Sequence, residues 1–149
     1  MESDTKKLTD TTKLLRECDA GIKMGVSSVD DSIKYVQTDN FRDYLLKCKD
    51  RHEVIREDLE QLLDKCHDSG KEPPAMAKTM AWVKTNIKLA LNETDKSVAE
   101  YITDGCNMGI KSLSGYLNEY KAADEKSKHI AKELIKLEED MLKDIRKYL

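Results

Sequence analysis

The stretch "FRDYLLKCKDRHEVIREDLEQLLDKC", residues 41–66, decides the fold. Its Phe41, Leu45, Cys48, His52, Ile55, Leu59, Leu62 and Cys66 follow one another at alternating spacings of four and three. On a helix of 3.6 residues per turn those positions form one apolar seam, and the charged residues between them cover the other face. A helix of about 39 Å at 1.5 Å per residue follows, and its buried seam needs partner helices.

Upstream, residues 4–37 carry Leu8, Leu15, Ile22, Val29 and Val36 at every seventh position, with Leu14, Cys18, Val26 and Ile33 beside them. This predicts a second long helix, started by Asp4 or Thr5. "QTDN" (37–40) then turns the chain, with Asp39 or Asn40 as the next cap. Downstream, Gly70, Pro73 and Pro74 in "HDSGKEPP" (67–74) stop the helix. "AMAKTMAWVKTNIKLALN" (75–92) reads as a connecting helix of about 27 Å. Thr94 caps a further helix through Val98, Ile102, Cys106, Leu113, Leu117 and Tyr120. Asp124 caps the last, through Ile130, Leu134, Leu137, Met141, Ile145 and Tyr148.

The expected architecture is all-α: a single domain over 1–149, with a helical hairpin (5–66), a crossover helix (75–92) and a second hairpin (94–148). A crossover about as long as the bundle lets the second hairpin start at the opposite end, which is a one-crossover four-helix bundle. Composition agrees. Two prolines and six glycines in 149 residues leave few breaks, and with aromatics at 5% the core must be aliphatic.

A net charge of −3, from 26 basic and 29 acidic residues, gives no basic surface for nucleic acid. No apolar run of 18 residues exists to span a membrane, and "MESDTKKLTDTTKLL" does not read as a secretory signal. Four cysteines without a Cys-x-x-Cys pair suit reduced thiols, and the expected location is cytoplasmic.

"CDAGIK" (18–23) returns as "CNMGIK" (106–111), and "KDRH" (49–52) is matched by "KSKH" (126–129). Duplication of a two-helix unit explains both. With "DAGIKMG", "RHEVIREDLEQLL" and "DGCNMGIKSL" in their helices, the chain resembles the ferritin-like superfamily, and its small bacterial members most. The resemblance covers about residues 8–148. It implies two hairpins around a di-iron centre, with a Glu on each of two helices and Glu-x-x-His on the others. The sequence departs from that pattern. Lys49 and Lys126 align with the Glu of Glu-x-x-His, and Lys23 and Lys111 fall near the lone Glu. Ammonium groups repel metal ions and do not ligate while protonated, so the usual centre is expected to be absent.

Another metal site remains an alternative. Cys48 and His52 have i,i+4 ligand spacing on the seam. Cys106, His129, Glu53 and Glu133 complete a candidate set for iron, manganese or zinc. Against it, buried cysteine packs as an apolar residue, and a seam histidine usually meets a hydrogen bond. No bound cofactor is the main expectation. Gly21, Gly25, Gly105 and Gly109 each cost about 1 kcal/mol against Ala within a helix. Close approach of two helices accounts for them, and room for a ligand is the alternative. The four lysines either snorkel or line an anion pocket. Met76, Met80, Trp82, Val83, Ile87, Leu89 and Leu91 spread over more than one face of the crossover. A homodimer is expected, with its interface near Met80, Trp82, Val83 and Ile87.

Three functions follow: a non-enzymatic bundle that associates with itself or another protein, a metalloprotein or divergent di-iron oxidoreductase, and a small-molecule or anion sensor using the glycine-lined middle.

Overall fold

A computed structural model describes residues 2–68, 70 and 93–149. Within them lie four α-helices packed together, and no strand: α1 (Glu2–Ser32), α2 (Asp39–Lys65), α3 (Asp95–Glu119) and α4 (Glu125–Asp144). Single 3-10 turns extend α1 (Ile33–Tyr35) and α4 (Ile145–Tyr148). The expected crossover helix, and with it Met80, Trp82, Val83 and Ile87, lies outside the described residues. No described helix is long and apolar enough to cross a membrane.

The ends form as local chemistry dictates, with two corrections: α1 begins at Glu2, ahead of the expected start at Asp4 or Thr5, and the cap of α2 differs. Thr94 and Asp124 cap α3 and α4, accepting from the Ser97 N–H at 3.1 Å and the Ser127 N–H at 2.8 Å. At α2 the cap is Thr38, not Asp39 or Asn40, and its hydroxyl bonds the Asp95 carboxylate of α3. Asp95 also accepts from the Gln37 N–H at 2.7 Å, so a side chain of the second hairpin closes the turn of the first. α2 ends in a Schellman motif built on His67 (φ 54°), before Gly70 is reached. Asp68 N–H bonds Leu63 C=O and His67 N–H bonds Asp64 C=O, each at 3.0 Å.

Contacts at the ends set the directions. Asp10 and Thr11, early in α1, accept from the backbone N–H groups of Ala122 and Asp124 at the α3–α4 turn. Gln37, after α1, meets Asp95 at the start of α3. α1 and α3 are therefore antiparallel. Phe41 stacks on Tyr148 at 4.0 Å between ring centroids, and the Tyr44 hydroxyl donates to Asp144 at 2.8 Å, so α2 and α4 are also antiparallel. Gly70 lies beside Asp19 of α1, whereas Glu93 accepts from the Gln37 side chain. The flanks of residues 71–92 thus stand about 27 Å apart along α1, taking 1.5 Å per residue from Asp19 to Gln37.

The core follows the seams: Leu14, Leu15, Ile22, Phe41, Leu45 and Leu59 are sealed from solvent, as is Ile145. Two seam positions differ. Leu63, not Leu62, is buried at the end of α2, because a strict seven-residue repeat drifts around a straight helix. Leu8 is 59% exposed, since the first turns of α1 run beyond the cover of the other helices.

Candidate functional site

Midway along the antiparallel pair α1 and α3, four glycines line one cavity: Gly21 and Gly25 from α1, Gly105 and Gly109 from α3. The expectation that they bring two backbones into touch is overturned. Nothing stands within 4 Å of where a Cβ on Gly21 or Gly105 would lie. At Gly25 the space is taken by His52 of α2, whose Nε2 would be 2.5 Å from an added Cβ. At Gly109 it is taken by the carboxylate of Glu138 from α4. Each hairpin builds the same arrangement: a glycine on its first helix, and a titratable side chain of its second helix pressed against it.

His52 is 2% exposed, and its Nδ1 lies 2.7 Å from the Cys48 carbonyl oxygen. A carbonyl only accepts, so Nδ1 carries the proton and Nε2 keeps a lone pair. Burial pushes the imidazole pKa below its ordinary value, against the pull of the Cys48 bond, which keeps the ring neutral. Burial pushes the Glu138 carboxyl up from 4.5 to about 8. Its Oε2 is buried and has no hydrogen-bond partner among the described residues. The cavity volume is about 50 Å³. One water needs roughly 10–15 Å³ of such space, so there is room for a few waters or for a group of a few heavy atoms. Met24, Ile102, Leu113 and Met141 make apolar walls. Tyr116, whose pKa is raised by burial and then by Glu17, donates to the Glu17 carboxylate at the lining.

The lysines stand elsewhere. None of Lys23, Lys49, Lys111 and Lys126 lines this cavity. Lys23 bonds Asp19 at 2.9 Å, Lys49 bonds Asp30 at 2.7 Å, and Lys111 and Lys126 are exposed. The anion-pocket expectation fails, because the ionisable groups at the centre are acids and a neutral imidazole.

The six candidate metal ligands do not converge. His52 and Cys106 line the cavity, and Cys48 is buried on α2. Glu53 faces Arg56 at 3.8 Å. His129 is 71% exposed and pairs with Glu133 at 2.5 Å, over a separate groove with Asp58 and Lys65. Among the described residues no group of three His, Cys, Asp or Glu is placed to hold a metal ion. Burial raises the thiol pKa of Cys106 and of Cys48, so both stay protonated, which disfavours metal ligation. The match of "KDRH" with "KSKH" also misleads: Glu138, not His129, shares the cavity with His52. Glu138 was legible in part, since Leu134, Glu138 and Met141 keep the spacing of four and three.

No family model, curated protein or solved structure matches the chain.

Proposed function

We propose that this chain is a non-enzymatic, ferritin-like helical bundle whose glycine-lined centre receives a small molecule. The observation that carries the reading is the pairing of Gly25 with His52 and Gly109 with Glu138, beside open space at Gly21 and Gly105. Glycine within a helix costs about 1 kcal/mol, and here it gives room at one level of four helices. Apolar walls with a few convergent polar atoms are the ordinary make-up of a small-ligand site. The ferritin-like arrangement is supported by Gly70, beside the middle of α1, and Glu93, past its C-terminal end, standing about 27 Å apart, a gap that a helical crossover of the expected length spans. Binding is favoured over thiol chemistry because the Cys106 thiol is held protonated by burial.

The test is a thermal-shift panel of molecules of two to five heavy atoms, on the wild type and a Gly105→Leu variant that fills the cavity. At least one molecule should raise the wild-type midpoint and leave the variant unmoved. A panel with no such molecule overturns the reading.

Self-association belongs to the same proposal. The two-sided apolar character of residues 75–92 in the sequence supports a homodimer, which light scattering after size exclusion tests. A monomer at all concentrations overturns it.

A further inference from the structure

Glu138 and His52 present the same chemistry to the cavity: each offers a lone pair. Nε2 of His52 is an acceptor because Nδ1 is committed to the Cys48 carbonyl. The Glu138 Oε2 atom is buried with no partner among the described residues. Glu17 adds a second carboxylate to the lining. Lys23 of α1 is held by Asp19. A buried carboxylate without a counter-charge is costly, so Glu138 keeps its proton in the empty cavity, and a cation that reaches it takes that proton's place. The surrounding walls, Met24, Leu113 and Met141, suit alkyl carbon. A metal cation is disfavoured, since no three donors converge.

We propose that this cavity binds a small alkylammonium ion, with the Glu138 carboxylate as its counter-ion and His52 Nε2 as a further acceptor. The inference names the ligand class of the site proposed above and rests on that reading. An ammonium head carries three donors, of which the Glu138 carboxylate and His52 Nε2 accept two. A cavity of about 50 Å³ takes the head with one or two methylenes, and leaves a longer chain between α1 and α3.

The experiment titrates the full chain with n-propylammonium chloride, and separately with its neutral isostere n-propanol, at matched ionic strength. Backbone amide shifts of Gly21, Gly25, Gly105 and Gly109 are followed by NMR. The ammonium ion should give saturable shifts at these glycines, at least tenfold tighter than the alcohol. Glu138→Gln should erase that preference while the rest of the spectrum stays in place. Glu138→Asp, which keeps the charge, should retain the preference and guards against a fold defect in the first variant. Propanol binding as tightly as the ammonium ion overturns the cation and leaves the cavity reading standing. An ammonium affinity unchanged by Glu138→Gln overturns the counter-ion, again with the cavity intact. Absence of saturable shifts with either probe overturns both.

Discussion

Replacing Glu138 with glutamine should stabilise the fold by an amount that depends on pH. In the unfolded chain this carboxyl ionises near 4.5, and burial in the folded protein pushes it up to about 8. Below the first value both states hold the proton, and the group contributes nothing. Between the two values the unfolded state has released its proton to gain solvation, while the folded state has not. Each pH unit in that window then costs the folded state about 1.4 kcal/mol. Above about 8 both states are ionised and the loss stays constant. At neutral pH the window crossed is roughly 2.5 pH units, or about 3 kcal/mol. Partial exposure of Glu138 reduces this toward about 2 kcal/mol. Glutamine keeps the shape of the protonated acid without the titration. Urea unfolding followed by circular dichroism, at about pH 5, about pH 7 and about pH 9, measures the gap between the two proteins. The gap should be under about 1 kcal/mol in acid, widen to about 2–3 kcal/mol at neutral pH, and grow by about 1 kcal/mol more before it levels off above about pH 8. A gap that does not change with pH, or a glutamine variant less stable at neutral pH, would refute the reasoning.

The glycines divide into two kinds. Gly21→Ala and Gly105→Ala meet nothing within 4 Å and should each stabilise by roughly 0.5–1 kcal/mol through helix propensity. Gly25→Ala drives a methyl into a ring held by the Cys48 carbonyl, and should destabilise by about 1–3 kcal/mol in the same unfolding assay. Gly109→Ala should cost less, because the atoms it meets are the end of the flexible Glu138 side chain. Asp95→Ala removes the acceptor for Gln37 and Thr38 and should cost about 1 kcal/mol, with faster amide exchange at Gln37. Burial opposes ionisation of Asp95, but bonds from Thr38 and Gln37 hold its pKa below the usual carboxylate value. Its contribution is therefore present at neutral pH and lost as pH falls through that lowered value, which acid titration of the wild type and Asp95→Ala compares. Phe41→Ala empties a fully buried site against Tyr148 and should cost about 3–5 kcal/mol by thermal unfolding.

Sequence alone determined the four described helices, because apolar spacing and caps are local. The seam from Phe41 to Leu59 and the caps at Thr94 and Asp124 stand where periodicity placed them. The seam also marked His52 as inward-facing. Which inward groups meet depends on helix directions and axial offset, and repeats in the sequence carry neither. The tertiary structure decided that His52 shares its cavity with Glu138 while His129 faces solvent. It also decided what the glycines do. A missing Cβ reads the same in the sequence whether a backbone, an imidazole or empty space lies opposite, and only the packing of four helices tells these apart.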